Sequence, residues 1–545
     1  MDRREIAAIL LLLFLALALR LYNIDRPLYG DEADWYKSAL IVVDGSARWS
    51  NTLVSDSPPL GKAVFVATYA MTHIQNFRYV TLAFAMASLV VAYAMAREYF
   101  GRKSALLALL LLATSIYSIV GAQHVDRDGG MLAFLSMLMF YAYMKKENGA
   151  RLSLGARGKA WLGISLASFI AAVLMRTNMV VLAFPIFALE YYRYEGAWKQ
   201  KLGAALGKMA WFAIAFAISF AFWLALDSAL GQQTMQNTFA HYLTYATGSN
   251  QGIGERLLRT AVSVARVAAR LTVPMALALC IAAYAFWRER WKLEEKEKEL
   301  LVVCGAWIFV GALTVLLVTQ GNVPAYFAPF VPAIMLVVGH AAAKAEKVGV
   351  GFAALAVLLA LVYLSLLSSL DFNEVNLLLM PVVGLAAVAL VGIAWVVDKD
   401  ANRLILALAL MSIFASAFML TDFRTYDAIR SQSVADAAAY FNSAGAGKIA
   451  ESQERTLDLY ASGQVVQYDN GKCVGVDGSM CSAAQSANFP AGYYVVDFPL
   501  RPPKLPQDIG AAFRFNLFDQ KGVEKCELAR TYVLHSVVVS EFYRC

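Results

Sequence analysis

The chain has 545 residues, of which 59% are hydrophobic and only 16% charged. Soluble globular domains run nearer 45–50% apolar and about 25% charged, so a soluble enzyme, a disordered scaffold and a fibrous protein are excluded in favour of a polytopic membrane protein. The net charge of +7 comes with no basic patch interleaved with stacking aromatics, so no nucleic-acid partner is implied.

The first apolar run, Ile6 to Leu19, follows Arg3 and Arg4. It reads as an uncleaved first span rather than a secretory signal, because no small-x-small site is clearly placed after it. The next loop reads Tyr29-Gly30-Asp31-Glu32-Ala33-Asp34-Trp35-Tyr36-Lys37, three acids in four residues. Carboxylates at membrane level are costly and tend to mark function. A solvated loop of helix-capping acids is the alternative, since Asp and Glu favour a helix first turn. Ser57-Pro58-Pro59-Leu60-Gly61-Lys62 and Arg78 follow.

Further spans are expected over 77–97, 104–122, 129–144, 160–175, 178–192, 209–227, 265–287, 299–318, 325–342, 348–370, 377–397 and 403–420, about thirteen in all. With the N-terminus inside, roughly two dozen Lys and Arg fall in inner loops against fewer than ten outside. Everything after Thr421 is then outside the cytoplasmic membrane, giving a membrane domain over 1–421 and an extracytoplasmic domain over 422–545. Lys292–Leu300 reads as a charged, solvated inner connector.

In the tail, apolar runs shorten and Gly and Pro return. Val434–Phe441 predicts an amphipathic helix; Gln464–Tyr468, Tyr493–Phe498 and Tyr532–Phe542 predict strands, together a small α/β domain. Cys280 and Cys304 fall in spans, whereas Cys473, Cys481, Cys526 and Cys545 lie in the tail. An even set placed outside suggests disulfides, and proximity favours Cys473–Cys481 and Cys526–Cys545 over the other pairings. Four free thiols is the alternative.

The Asp31-Glu32 pair, the Pro58-Pro59-Leu60-Gly61-Lys62 run, Gln123-His124-Val125-Asp126-Arg127-Asp128 before a span, and Pro324-Ala325-Tyr326-Phe327-Ala328-Pro329 occur in one order. That order resembles the membrane glycosyltransferases of the GT-C superfamily, closest to protein O-mannosyltransferases and lipid A aminoarabinose transferases. The resemblance covers most of the membrane part and implies a polyprenyl-phosphate-linked sugar donor, an extracytoplasmic acceptor (protein Ser/Thr, lipid or glycan) and the bilayer as partners. It implies the GT-C fold, α-helical, with Asp31 as catalytic acid and Glu32 as its neighbour. A positioned carboxylate takes the proton that an acceptor hydroxyl or amine loses on attacking the anomeric carbon. A phosphate leaving group needs no acid, so single displacement inverts the anomeric centre.

A leaving phosphate needs cations, and Arg binds it bidentately. Lys62, Arg78, Arg127 and Arg176 are the donor-phosphate candidates, Arg176 foremost because it stands between two spans; snorkelling to headgroups is its alternative reading. Asp128 matches an acid that the family keeps before a span, while His124 stands where the mannosyltransferases carry Arg. Asp126 and Asp128 offer two carboxylates to a divalent cation, a poor set without further oxygens; no cofactor is required. Asp128, His124, His241, Tyr242 and Tyr326 are the acceptor-side candidates, His241 and Tyr242 in a long outer loop. His73 is a second outer histidine.

Two rival functions remain open. Gln467-Tyr468-Asp469-Asn470-Gly471 resembles the Trp-Trp-Asp-Tyr-Gly motif of oligosaccharyltransferases, though Asp-Asn-Gly is also an ordinary turn. An ion-coupled transporter with Asp31 and Asp128 as ligands is the other; transporters keep charges near the midplane and often repeat their halves, and no repeat is visible.

Overall fold

The computed structural model describes residues 2–29, 31–45, 58–125, 128–146, 156–231, 233–239, 273–289, 293–317, 328–345, 400–421, 426–452, 456–469, 472–474, 480–481, 492–497, 526–534 and 537–544, with isolated positions between 358 and 396. Two compact units emerge. Met1–Ile24, Ser38–Leu364 and Met380–Phe418 form the first; Asp25–Lys37, Ser365–Leu379 and Met419–Cys545 form the second.

In chain order the helices are α1 (Arg3–Leu21), α2 (Asp31–Val43), α3 (Pro59–Thr72), α4 (Arg78–Tyr99), α5 (Arg102–Thr114), α6 (Ile116–Ala122), α7 (Ala133–Lys145), α8 (Ala156–Met175), α9 (Ala183–Arg193) and α10 (Trp198–Leu230). They continue as α11 (Val273–Glu289), α12 (Glu295–Leu317), α13 (Val331–Ala343), α14 (Ala401–Thr421) and α15 (Tyr426–Ser443). A π-helical turn, Asp128–Leu132, precedes α7, and a 3-10 turn, Thr177–Leu182, precedes α9. Among the described residues, α4, α8 and α10 are long and apolar enough to cross a membrane, and the α5–α6 pair makes a fourth. By length and composition these residues give three or four full spans, which does not confirm the expected count of about thirteen; α7, α11, α13 and α14 contribute shorter apolar helices. The spans expected over 348–370 and 377–397 lie outside the described residues save for isolated positions.

The expected span 104–122 is broken. Between α5 and α6 the axis turns by 58° at Ser115, which is extended (φ −63°, ψ 124°). No proline or glycine stands there; the cause is a buried cation. Arg20 Nη1 donates to Ala113 O and Nη2 to Leu112 O, both at 2.9 Å, while Ser118 Oγ accepts from Nη2 at 2.7 Å. Carbonyls freed by a break cost several kcal/mol each in an apolar medium unless paired. Arg20 pairs them, and they in turn satisfy its charge.

Charged side chains mark one end of this helical unit. Glu5 accepts from Arg97 Nε at 2.7 Å and from Tyr93 Oη at 2.6 Å. Lys145 pairs with Glu98 at 2.8 Å, Lys146 with Glu190 at 3.6 Å, Arg193 with Glu299 at 2.8 Å and Lys344 with Glu297 at 3.2 Å. Linked in this way, the starts of α1 and α12 and the ends of α4, α7, α9 and α13 share one pole. Such pairs contribute about 0–1 kcal/mol each where exposed, so their importance is helix register rather than stability. The expected solvated connector is accordingly tied down over its described part: Glu295, Glu297 and Glu299 of α12 bind Tyr192, Lys344 and Arg193.

The second unit carries a seven-stranded sheet among the described residues. Its strands are β1 (Lys448–Ser452), β2 (Gln464–Asp469), β3 (Lys472–Val474), β4 (Met480–Cys481), β5 (Tyr493–Asp497), β6 (Glu527–Leu534) and β7 (Val537–Arg544), in the order β4-β3-β2-β1-β5-β7-β6. β1 runs parallel to β2 and β5; the other pairs are antiparallel. Val434, Ala437, Ala438 and Phe441, spaced as one helix face, bring α15 onto Ile449, Val465, Val496 and Phe542. Tyr532–Phe542, expected as one strand, falls instead on two antiparallel strands, β6 and β7, which pair as far as Leu534 opposite Val537. β2 and β3 pair with Asp469 opposite Lys472; Asn470 and Gly471 of the Gln467–Gly471 run lie outside the described residues.

Candidate functional site

In the second unit, Asp31 is the first residue of α2. Glu32 and Asp34 follow within the first turn, where the helix dipole favours carboxylates, but both are buried, Glu32 completely. A solvated capping loop would leave them wet. The Glu32 N–H donates to Tyr29 O at 3.1 Å. Tyr29 lies in the hydrophobic core of the C-terminal fold beside Val434, Phe441 and Leu457. Just before it, Arg26 Nε donates to Ser431 Oγ at 3.1 Å and Leu28 N–H to Tyr460 Oη at 2.7 Å. Lys37 closes the segment with an ion pair to Asp458 Oδ1 at 2.6 Å.

Asp458 sits on a 3-10 turn, Leu457–Leu459. A buried acid holds the start of that turn: Glu451 Oε1 accepts from Thr456 N–H at 2.9 Å, and Oε2 from Leu457 N–H at 3.0 Å. Burial pushes the Glu451 carboxyl up to about 8, against the downward pull of these two N–H groups.

In the first unit, Lys62, Arg78 and Arg176 are buried. Pro58 and Pro59 start α3, Pro59 at a first-turn position where a missing N–H costs nothing. Lys62 follows in the same turn, and Phe65 beyond it stacks on Phe77 at 5.1 Å, next to Arg78. Arg78 Nη1 donates to Ile24 O at 2.9 Å, and Asn76 Nδ2 donates to the same carbonyl at 3.0 Å. Part of the Arg78 guanidinium is thus engaged in holding the chain beyond α1. Arg176 occupies the break between α8 and the 3-10 turn, extended at φ −154° and ψ 115°. Arg78 and Arg176 both lie at helix ends opposite the charged pole.

Asp128 begins the π-helical turn, and its backbone is held by contact with α4. A Cβ on Gly130 would stand 2.4 Å from Thr81 O, while Thr81 Oγ1 donates to Ala122 O at 2.9 Å. Single π turns inside helices recur at functional positions. His124 is half-buried. Its neighbour Gln123, missed in the sequence, donates Nε2 to Arg20 O at 2.9 Å and Tyr22 O at 2.7 Å, closing the end of α1. His73 caps α3 in the left-handed region (φ 52°) with its ring edge on Tyr69 at 5.6 Å.

Asp126, Arg127, His241, Tyr242 and Tyr326 lie outside the described residues, as do the side chains of Asp31 and Asp128. Among the described residues no group of three or more His, Cys, Asp or Glu side chains is arranged to hold a metal. Cys473 and Cys481 are direct register partners of β3 and β4; Cys526 directly precedes β6, and Cys545 lies outside the described residues.

Residues 56–226 match the family model described as dolichyl-phosphate-mannose-protein mannosyltransferase. Among solved structures the chain is similar to ArnT from Cupriavidus metallidurans bound to undecaprenyl phosphate, with TM-score 0.60 and 16% identity over 98% of this chain and 97% of that one. The apo state of that protein matches with TM-score 0.59 at the same identity and the same coverage of each chain. A weaker likeness, TM-score 0.40 and 15% identity over 75% of this chain and 56% of that one, is to the oligosaccharyltransferase AglB from Archaeoglobus fulgidus in complex with an inhibitory peptide and a dolichol-phosphate. A comparison with curated protein sequences finds no match.

Proposed function

We propose that this chain, whose fold is that of the GT-C membrane glycosyltransferases and whose residues 56–226 match their mannosyltransferase family, moves one sugar from a polyprenyl-phosphate carrier to an extracytoplasmic acceptor with inversion. The supporting observation is the burial of three cations, Lys62, Arg78 and Arg176, at helix starts and breaks of the helical unit. Arg and Lys groups gathered at helix starts and breaks suit a phosphate headgroup whose tail stays in the bilayer. ArnT, which shares the fold, was solved with undecaprenyl phosphate bound.

In this reading Asp31 accepts the proton of the acceptor hydroxyl or amine as the acceptor oxygen or nitrogen bonds to the anomeric carbon. The carbon–oxygen bond to phosphate breaks, and its electron pair stays on the phosphate. Arg176 and Lys62, with Arg78 and Arg127, stabilise the charge that grows there. Glu32, fully buried, orients Asp31 or the acceptor. The acceptor class is extracytoplasmic protein, lipid or glycan.

The test uses the full-length protein in detergent with radiolabelled polyprenyl-phosphate mannose. Wild type should release the label from the lipid. Asp31→Asn, which keeps size but not proton acceptance, should lower turnover by about 10²–10⁴-fold while donor binding survives. Near-normal turnover in Asp31→Asn would remove the base assignment.

A further inference from the structure

Four attachments bracket Asp31, and all of them run to the C-terminal fold. Before it, Arg26 is held by Ser431, Leu28 N–H by Tyr460 Oη, and the Tyr29 ring by the core under α15. After it, Lys37 is held by Asp458 at 2.6 Å, with both side chains largely shielded. The buried Ala33, Trp35 and Tyr36 already restrict how α2 is turned about its axis, and the Lys37–Asp458 pair adds a directional contact to that packing. At about 100° per residue, Lys37 stands roughly 240° around the helix from Asp31. The pair therefore constrains the rotation from a face other than the one that Asp31 begins.

We propose that Asp458 is a positioning residue for the transfer reaction: through Lys37 it fixes the rotation of the helix that begins at Asp31, with Tyr460 Oη steadying the approach to that helix. The proposal rests on Asp31 being the general base. A rotation of about 10° moves a carboxylate about 5–6 Å from a helix axis by about 1 Å. Misplacement on that scale costs on the order of 10² in rate. The clamp is itself anchored. Glu451 draws in the N–H groups of Thr456 and Leu457, which begin the turn that carries Asp458.

The experiment takes the full chain in detergent and reads two quantities: label released from polyprenyl-phosphate mannose, and amide hydrogen exchange over residues 32–37. Asp458→Asn should lower kcat by about 10- to 100-fold with the donor KM unchanged, and should speed exchange over 32–37. Reversing the pair, Lys37→Asp with Asp458→Lys, should recover both. Wild-type exchange in Asp458→Asn, unchanged kcat per folded molecule, or no recovery in the reversed pair would each overturn the proposal. Where Asp458→Asn does not fold, Tyr460→Phe decides by the same two quantities. Near-normal turnover in Asp31→Asn sinks the base reading and the positioning role with it. Collapse in Asp31→Asn beside normal kcat in Asp458→Asn sinks the positioning role alone.

Discussion

Glu451→Gln is a perturbation whose effect changes with pH in a direction the structure fixes. The Glu451 carboxyl, pushed by burial from its ordinary 4.5 up to about 8, stays protonated in the folded chain where the unfolded chain ionises. The stability that follows is fully present below about 4.5 and is lost as pH rises toward about 8. Each unit of that window is worth about 1.4 kcal/mol, so pH 5 to pH 7 removes on the order of 3 kcal/mol. Glutamine copies the protonated form closely. Its carbonyl takes the place of Oε2, which accepts from Thr456 and Leu457 N–H at 3.1 and 3.0 Å, while its amide group, a donor, gives up the 2.9 Å acceptance from Thr456 N–H that Oε1 makes. Near pH 5 the variant should unfold below the wild type by the cost of that one lost acceptance, about 1 kcal/mol, an offset that does not change with pH. By pH 7 the wild type should have lost ground to the variant, seen as a melting temperature of the full chain that falls faster with pH. Parallel curves from pH 5 to pH 8 would refute the assignment of a buried, protonated acid.

Arg176→Ala should weaken donor use by roughly 10- to 150-fold, the loss of one charge-assisted phosphate contact of about 1.5–3 kcal/mol; unchanged donor kinetics at normal expression would leave headgroup snorkelling as its role. Gly130→Ala should cost about 1–3 kcal/mol, because a Cβ there meets Thr81 O at 2.4 Å, and donor turnover should fall with it as Asp128 shifts. A cysteine-labelling scan in intact cells should reach residues after Thr421 from outside and Lys292–Leu300 only from inside. In the unfolded but unreduced chain, iodoacetamide should alkylate Cys280 and Cys304 and spare Cys473, Cys481, Cys526 and Cys545.

Hydropathy locates α4, α8 and α10 because a long apolar run has few other uses, and spacing locates the amphipathic face of α15. Hydropathy misses the break at Ser115, where the chain has neither proline nor glycine and the partner of the freed carbonyls, Arg20, lies 92 residues or more away. It merges β6 and β7 because β-branched and aromatic residues continue on both sides of His535-Ser536 with no strong turn residue between. The acids at 31–34 stand out by local density. Glu451 does not, being one acid in a short strand, and its value comes only from burial and from Thr456 and Leu457 folding back on it. Lys37 and Asp458 are ordinary charges until the fold pairs them. Chemistry written in neighbouring residues was legible, and chemistry assembled by long-range contact was not.

The distance along the chain between Lys37 and Asp458, 421 residues, has a consequence for the protein's birth. At roughly 5–20 residues per second, a ribosome delivers the partner about 20–80 s after the acids have emerged. Throughout that interval the helical unit is being threaded into the membrane while α2 has no ion pair to set its rotation. The sheet cannot finish sooner, since β5 pairs with β7, which is made later still. A nascent chain thus lays down its helical unit before Lys37 can meet Asp458.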